Sequence, residues 1–531
     1  MRNHSGKGHI VTANTQQPLT LGQLIVQAIE SYPERVALVD GERSLSYRQL
    51  GERIAAACRV FQVAGMRRGD VVAQLSSNRI EMFCAMAAAY VGGFTSVTLH
   101  PMAGVADHAA IVKDCGARIL ISERAYEERV RGLRIQCPTV QSWYSHDQDD
   151  AALLAFWPDE VPAGTAALTA AGEPEDILRL AYTGGTTGRA KGVMLSSRAM
   201  LENTRLWLAG LDWPDAPRTL CSAPISHGAG SLIYPTLARG GTVFLQHGFS
   251  VPDWIDAVQR HRIQFTFIVP TMLYALLDAP QASKERLASL RALIYGAAPA
   301  APVRIRHALQ RWGNVLVQTY GQTEAPNTIL LLDQRAHACA TDAELGAAGR
   351  PFPGVEVELL DEDDRPVAPG GIGEICVRGP LLMSGYHGQP QQSAETLRGG
   401  WLHTGDLARR DAQGLLHIVD RKKDMIITGG FNVYPREVED VLAAHPAVAA
   451  VAVIGVPDLK WGEAVKAVVV ARAGTAPTAS ALIDYVRERK GAIHTPKSVD
   501  FVDQVPLTGL GKPDKKTLRQ RYWSEQDKEI A

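Results

Sequence analysis

The sequence predicts an α/β protein: a large N-terminal domain of layered α/β sheets and a small mobile α+β lid domain at the carboxyl end. Helical and strand patterns alternate from about residue 20 to 420, which is typical of layered sheets with parallel strands. After about residue 421 the pattern changes to short mixed elements, enough for one small domain. We therefore expect domains at 1–421 and 422–531, joined through the charged segment 420–430.

Individual elements follow from hydrophobic periodicity. Apolar residues at helical spacing predict helices at 47–64 and 78–91, and Pro435 begins a predicted helix in the small domain. The remaining expected elements are strands at 70–75, 117–122, 178–182, 264–269, 291–295, 315–319, 449–455 and 465–471, and a helix near 479–490.

Composition argues against several classes of protein. The chain has 531 residues, a net charge of −1 and 46% hydrophobic residues, so it lacks the basic footprint of a nucleic-acid binder. Seven scattered cysteines without metal-ligand spacing suggest a reducing, cytoplasmic environment. We expect no secretory signal and no membrane span, because the first residues are polar and Gly92 and Gly93 interrupt the longest uncharged stretch. The pattern leaves the oligomeric state open.

The segment LAYTGGTTGRAKGV at 180–193 is a candidate anion-binding loop. Its four glycines let backbone N–H groups converge, and its three threonines add hydroxyl donors, so a phosphate is the expected ligand. It is not a P-loop, because Ala190 precedes Lys191 and Gly192 follows it. A flexible linker is the alternative, although apolar runs flank the segment on both sides.

Five predicted strands end in loops of small, polar or aromatic residues. LRLAYT leads into GGTTG, TLCSAP into ISHGAG, FTFIVP into TMLY, ALIYGAAP into a helix, and VLVQTY into GQTE. Ligands of open α/β sheets bind beyond the carboxyl ends of the strands. We therefore expect these loops to share one site.

Six motifs then stand in a recognisable order. They are YTGGTTGRAKG (182–192), YGQTE (320–324), GEICVRGP (373–380), WLHTGD (401–406), DRKKDMIITGGFNVYPREVE (420–439) and PLTGLGK (506–512). Over nearly its whole length the chain resembles the adenylate-forming superfamily of acyl-CoA synthetases, peptide-synthetase adenylation domains and beetle luciferases. The resemblance implies that a carboxylate attacks the α-phosphate of ATP and that the acyl adenylate then reacts with a thiol.

The resemblance also implies a nucleotide site. Tyr320 would stack on adenine, Thr323 would donate to the α-phosphate, Glu324 would hold Mg²⁺, and Asp406 with Arg421 would bind the ribose. The phosphate loop would comprise Thr183, Gly184, Gly185, Thr186, Thr187, Gly188 and Lys191. The base pocket would comprise Gly296, Ala297, Ala298, Pro299, Gln318, Thr319, Tyr320 and Gly321.

The lid carries the remaining implied roles. Lys512 would bridge the attacking carboxylate and the phosphate oxygens during adenylation. Lys423 would be the pivot of a lid rotation that follows, and Gly429 and Gly430 would lie beside the pantetheine of CoA.

His227 is placed with the catalytic residues as a gate or substrate-shaping group rather than a proton shuttle. The expected acid-binding wall consists of Trp207, His227, Gly228, Ala229, Gly230, Met272, Tyr295, Gly296, Ala325 and Pro326. Its apolar character favours a fatty, alicyclic or aromatic acid, with Tyr295 either shortening the pocket or supplying a hydroxyl.

Three departures from the family pattern affect the adenylate contacts. Gly185 replaces a frequent serine, Thr319 a frequent glycine, and Ile427 a lysine found in some relatives. The expected function is an acyl-CoA synthetase that uses ATP, Mg²⁺ and CoA. The alternatives are an adenylating enzyme that loads a separate carrier protein, and a non-catalytic scaffold of the same fold.

Overall fold

The computed structural model describes residues 18–147, 153–158, 168–183, 191–429, 431–507 and 513–523. Its α-helices are α1 (Leu21–Ser31), α2 (Tyr47–Val63), α3 (Ile80–Gly92), α4 (Val105–Cys115), α5 (Glu127–Gln136), α6 (Ser197–Gly210), α7 (Ile233–Ala238), α8 (Val251–His261), α9 (Pro270–Asp278), α10 (Pro302–Trp312), α11 (Gln334–Cys339), α12 (Pro390–Thr396), α13 (Pro435–Ala443), α14 (Ala479–Lys490) and α15 (Lys515–Gln520).

The strands form four sheets. In chain order they are β1 (Val36–Asp40), β2 (Arg43–Ser46), β3 (Val71–Leu75), β4 (Thr95–Thr98), β5 (Ile119–Ser122), β6 (Ser142–Ser145), β7 (Leu154–Ala155), β8 (Ile177–Thr183), β9 (Lys191–Ser196), β10 (Arg218–Cys221), β11 (Thr242–Leu245), β12 (Phe265–Ile268), β13 (Ala292–Gly296), β14 (Leu316–Gln322), β15 (Ala325–Leu332), β16 (Arg350–Pro351), β17 (Glu356–Leu360), β18 (Ile372–Arg378), β19 (Gly385–Tyr386), β20 (Leu402–Arg410), β21 (Leu416–Arg421), β22 (Ile426–Thr428), β23 (Phe431–Val433), β24 (Val448–Asp458), β25 (Gly462–Ala471) and β26 (Ser498–Phe501).

Two large sheets carry the first part of the chain. The nine-stranded sheet has the order β16-β15-β14-β13-β12-β10-β11-β1-β2, and the eight-stranded sheet has the order β19-β9-β8-β4-β3-β5-β6-β7. Parallel strands form the centre of each. Antiparallel strands close both edges of the nine-stranded sheet and the β19 edge of the eight-stranded sheet, whereas β7 at the other edge is parallel to β6. The α/β prediction is therefore confirmed, and the predicted helices and strands differ from the observed ones by only a few residues at their ends.

One sheet departs from the predicted parallel arrangement. Strands β17, β18, β20 and β21 form a four-stranded sheet in which every pair is antiparallel. The alternation of helices and strands did not predict it, because only one short helix, α12, interrupts this stretch in the described residues. The sheet matters for the site because β20 and β21 carry Asp406 and Arg421.

The last sheet has its own hydrophobic core. Strands β22 to β26 form one sheet. Val438 and Leu442 of α13 and Leu482 and Val486 of α14 are fully buried in one cluster with its strands. In the described ranges, no helix is long and apolar enough to cross a membrane.

Candidate active site

Four of the five loops expected to share a site do follow neighbouring parallel strands. Strands β10, β12, β13 and β14 are adjacent in the nine-stranded sheet, so their carboxyl ends lie at one edge. Strand β8, which leads into the glycine-rich loop, belongs to the eight-stranded sheet instead. Its Arg179 donates a hydrogen bond to the carbonyl of Ser226, so the two sheets meet at this edge.

Asp406 is the centre of a buried polar cluster. One carboxylate oxygen accepts hydrogen bonds from the hydroxyl of Tyr320 at 2.6 Å and from Nε2 of Gln322 at 2.7 Å. The other lies 3.1 Å from Nε of Arg421, the residue directly opposite on β21. Burial, and then the Asp406 charge, raise the pKa of Tyr320 well above its usual value, so the phenol remains a donor. The structure thus brings together three of the predicted nucleotide residues.

Gln322 is a site residue that the sequence analysis quoted but did not assign. Besides Asp406, its amide donates to the carbonyl of Thr404 at 2.8 Å. It therefore holds the turn of the WLHTGD motif as well as its carboxylate. Its place in YGQTE, two residues after Tyr320 and so on the same face of the strand, was the available signal.

Glu374 stabilises the turn that precedes Asp406. This buried carboxylate accepts a hydrogen bond from the backbone N–H of Gly405 at 2.8 Å. The hydroxyl of Thr404 donates to the carbonyl of Ile375 at 2.7 Å. Glu374 and Ile375 of the GEICVRGP motif therefore stabilise the backbone beside Asp406, the candidate ribose ligand.

Thr323 and Glu324 occupy the tip of a tight β-hairpin. Gln322 pairs with Ala325 across β14 and β15, so only these two residues form the turn. A hairpin ladder fixes both ends of such a turn and limits the directions its side chains can take.

Glu324 and Lys191 are connected through Tyr386. The Tyr386 hydroxyl donates to Oε1 of Glu324 at 2.8 Å, and Nζ of Lys191 lies 5.3 Å from the centre of the Tyr386 ring. Burial, and then the Glu324 charge, raise the pKa of Tyr386, which keeps the phenol protonated. Tyr386 belongs to none of the six motifs, so the sequence alone does not indicate it.

The GAAP segment brings backbone close to the base-pocket candidates. A Cβ on Gly296 would lie 2.5 Å from the carbonyl oxygen of Thr319, so only glycine fits there. Ala297 has φ of 66°, a left-handed conformation that costs a non-glycine residue about 1–2 kcal/mol. Such strain is concentrated at functional sites, which agrees with the assignment of this loop.

His227 is held in one orientation. Its Nδ1 lies 2.9 Å from Oγ of Ser226, and its ring meets the edge of His100 with centroids 5.4 Å apart. Burial, followed by the positive charge of Arg179, lowers the pKa of His227 to about 3. The imidazole is therefore neutral at physiological pH, as a substrate-shaping role requires.

The wall beside His227 is built on the carbonyl of Gly228. That oxygen accepts hydrogen bonds from Ser231 at 2.7 Å and from Asn327 at 3.1 Å. Trp207, fully buried, donates to the Ser231 hydroxyl at 3.1 Å. Asn327 has φ of 56° and was not assigned from the sequence. Ala229, Gly230 and Ala325 are buried in the same region, and Pro326 is partly exposed.

The expectation for Tyr295 is wrong. Its side chain is fully buried in a different core cluster from Trp207, Ala229 and Ala325. Its hydroxyl donates to Gln318 at 2.9 Å and lies 2.9 Å from Nε2 of His337. Because alternate residues of a strand face opposite sides, Tyr295 points away from the acid-binding wall. Met272 packs against that other cluster too.

The predicted pivot has one contact to β21 before it and one contact within the expected lid after it. Asp420 accepts a hydrogen bond from the backbone N–H of Arg436 at the start of α13 at 2.8 Å, and Asp424 pairs with Arg519 of α15 at 2.9 Å. Lys423 itself is exposed. Gly429 has φ of 57°, and a Cβ there would lie 2.5 Å from the Trp461 ring.

Several predicted residues lie outside the described ranges. They are Gly184, Gly185, Thr186, Thr187, Gly188, Gly430 and Lys512. Across two of these gaps the flanking described residues pair with each other. Thr183 pairs with Lys191, and Leu507 forms a bridge to Pro513.

Comparison with known proteins decides the family. The model of the AMP-binding enzyme family matches residues 25–387, and that of the AMP-binding enzyme C-terminal domain matches residues 437–512. The chain belongs to the AMP-binding enzyme family. This AMP-binding enzyme is an adenylate-forming acid–thiol ligase of the acyl-CoA synthetase type, and ATP and CoA are the co-substrates of such ligases.

Individual relatives cover nearly the whole AMP-binding enzyme. It is 41% identical to the medium/long-chain-fatty-acid–CoA ligase FadD8 of Mycobacterium tuberculosis, over 98% of this chain and 93% of that protein. It is 38% identical to a feruloyl-CoA synthase of Amycolatopsis sp, over 94% and 99%. The amide bond synthetase McbA from Marinactinospora thermotolerans has a similar structure, with a TM-score of 0.88, 35% identity and coverage of 94% and 99%.

Gly230→Ala tests how tightly the expected acid-binding wall of the AMP-binding enzyme is packed. The added Cβ would overlap the carbonyl oxygen of Ile225, which is backbone and cannot rotate away. We expect a destabilisation of about 1–3 kcal/mol, as for other overpacked sites, seen as a lower melting temperature. Gly248→Ala, where a Cβ meets nothing within 4 Å, is the control. Equal melting temperatures for the two variants would contradict the packing described.

Proposed function

We propose that the chain converts hydrophobic monocarboxylic acids to their CoA thioesters through an acyl adenylate, with fatty acids of medium or long chain as preferred substrates. The observation that carries the proposal is the acid-binding wall, where His227 is neutral and the polar contacts of Gly228 and Asn327 are to hydroxyl, amide and carbonyl groups. Such a wall suits an uncharged tail rather than an ammonium group. The 41% identity to a fatty-acid–CoA ligase supports this choice.

The proposed nucleotide site uses the cluster around Asp406. The carboxylate is pre-oriented by Tyr320, Gln322 and Arg421, and it accepts the ribose hydroxyls with its remaining lone pairs. Tyr320 presents its ring to the adenine while its hydroxyl stays bound to Asp406. The GAAP backbone forms the opposite wall, where a larger residue than Gly296 would not fit.

The residues present fit a divalent cation. Glu324 is only partly buried, and in the described ranges Oε1 has Tyr386 as its partner while Oε2 has none. Mg²⁺ is typically held in ATP sites by one or two carboxylates together with phosphate oxygens, and it neutralises charge on the leaving pyrophosphate. Tyr386 orients the carboxylate through its hydroxyl, and Lys191 adds positive charge over the ring of the same tyrosine.

For the second half-reaction we propose that 422–531 rotates about Lys423 as a unit. Lys512 serves adenylation and is then withdrawn, and Gly429 comes to lie along the pantetheine path. Residue 423 is exposed between two anchored neighbours, since β21 ends at Arg421 and Asp424 pairs with Arg519. The rotation of 422–531 therefore takes place about a few backbone bonds near Lys423.

Two other acceptors deserve direct comparison with CoA. An amine is suggested by the similarity to an amide bond synthetase at 35% identity, and a carrier protein by a fatty acid–acyl-carrier-protein ligase at 31% identity. All three acceptors would react with the same acyl adenylate. They differ only in the step that follows.

Pyrophosphate release and product analysis test the function. We expect acid-dependent release with dodecanoate above that with ferulate or indoleacetate, none with phenylalanine, and an acyl-CoA product when CoA is added. An amide formed from an added amine, or an acylated carrier protein, in preference to the CoA thioester would replace the proposed acceptor. No release with any acid would contradict catalysis altogether and favour a scaffold.

Tyr386→Phe removes the hydroxyl that orients Glu324 and keeps the ring beside Lys191. Hydrogen bonds to charged groups contribute about 1.5–3 kcal/mol, so the KM for ATP should rise roughly tenfold or more at constant Mg²⁺. The KM for the acid should not change. Calorimetric titration with ATP at several Mg²⁺ concentrations should show a weaker Mg²⁺ dependence than in the wild type. Tyr47→Phe is the matched control, because Tyr47 is a buried tyrosine whose hydroxyl donates to the carbonyl of Gly241, away from the site. An unchanged Mg²⁺ dependence would remove Tyr386 from this role.

Lys423→Pro tests the pivot, because a proline fixes φ at the residue that must rotate. We expect adenylation, measured as acid-dependent pyrophosphate exchange, to be largely retained while thioester formation falls strongly. Lys512→Ala should give the opposite pattern and lose the exchange. Equal loss of both half-reactions in Lys423→Pro would contradict the pivot.

A further inference from the structure

Arg179 stands between the nucleotide side and the acid side of the site. It lies on β8, the strand that leads into the glycine-rich loop, and its guanidinium donates to the carbonyl oxygen of Ser226. His227 directly follows Ser226 in the chain. We propose that Arg179 is a positioning residue that fixes the 223–227 loop, and hence the acid-binding wall, against β8 of the eight-stranded sheet. The inference rests on the proposed role of His227 beside the acid.

The unusual feature of Arg179 is that, within the described ranges, it has no carboxylate in ion-pair distance. Arg79, which is also partly buried and directly precedes α3, contacts Glu81 at 2.8 Å and Asp147 at 2.9 Å. A cation partly removed from water without such a partner is costly. The hydrogen bond to the carbonyl of Ser226 is therefore the contact that stabilises the partly buried Arg179 guanidinium.

Asn78, in the segment between β3 and α3, also holds the 223–227 loop. Its amide donates to the carbonyl of Ala223 at 2.9 Å, and its carbonyl accepts from the backbone N–H of Ile225 at 2.9 Å. Asn78 thus fixes the first part of the loop, and Arg179 fixes the last residue before His227. Removing Arg179 leaves the main-chain position of Ser226 without its side-chain support, and the imidazole bonded to Ser226 moves with it.

Arg179 also affects the charge of the wall. The charged or titratable groups that face His227 are Arg179 from β8 and His100 from the segment after β4. Both disfavour an imidazolium, as burial does, so loss of the Arg179 charge raises the pKa of His227 towards its ordinary value. An apolar acid tail packs better against the neutral ring.

Three variants separate the hydrogen bond from the charge. Arg179→Met removes both, Arg179→Gln keeps a donor without charge, and Arg198→Met is the control, because Arg198 is an exposed arginine paired with Glu175 at 2.8 Å. We expect Arg179→Met to raise the KM for the best acid of the panel roughly tenfold, the usual consequence of losing one charged hydrogen bond, without changing the KM for ATP. Arg179→Gln should recover most of the acid affinity.

Histidine NMR supplies the readout that a merely structural role would not move. The His227 resonance should titrate at higher pH in both Arg179→Met and Arg179→Gln than in the wild type or Arg198→Met. If Arg179→Met does not fold, Arg179→Gln decides: near-normal acid KM with a raised His227 pKa supports the proposal, and an unchanged titration overturns it. Equal rises in the KM for acid and ATP, or none, also overturn it. An inactive wild type would instead contradict the proposed function.

Discussion

The carboxylate of Asp406 is the constraint on which the site depends. It lies on β20 of the four-stranded antiparallel sheet. Its partners come from the end of β14 in the nine-stranded sheet and from the neighbouring strand β21. A buried carboxylate is costly unless its oxygens are paired, so these three segments must meet at one place in the folded protein. The backbone turn beneath it, held by Glu374, leaves the carboxylate little freedom. In the proposed function, nucleotide binding therefore relies on order that folding has already established.

The proposed acid side is organised differently, around backbone carbonyls rather than a buried carboxylate. Hydroxyl and amide donors converge on Gly228, and Asn78 and Arg179 hold the loop before His227. The Arg179 guanidinium is a positive charge beside this wall, and it helps to keep the His227 imidazole neutral. In the proposed function, one edge of the molecule thus combines a carboxylate-centred nucleotide side with an acid side whose imidazole is neutral.

The sequence predicted what local patterns determine, and missed what distant segments create. Hydrophobic periodicity located β3, β14 and α13, and motif order led to Asp406 and Glu324. Tyr386 and Arg179 could not be found that way, because neither lies in one of the six motifs and each contacts a partner that is distant in the chain. Tyr295 was misplaced because strand alternation decides which face a residue takes, and proximity to GAAP does not. The antiparallel sheet that carries Asp406 was likewise invisible to the α/β alternation.

The two-residue turn at Thr323 and Glu324 also limits how such an enzyme can change over evolution. Strand β15 begins at Ala325, directly after the turn, and continues into the acid-binding wall. The pairing behind the turn is irregular, because Tyr320 pairs with Leu330 whereas Gln322 pairs with Ala325. Asn327, which donates to the carbonyl of Gly228, lies in this irregular stretch, so a change of length there would move it away from Gly228. Replacing side chains around a turn of constant length is therefore the less disruptive route to a new acid preference.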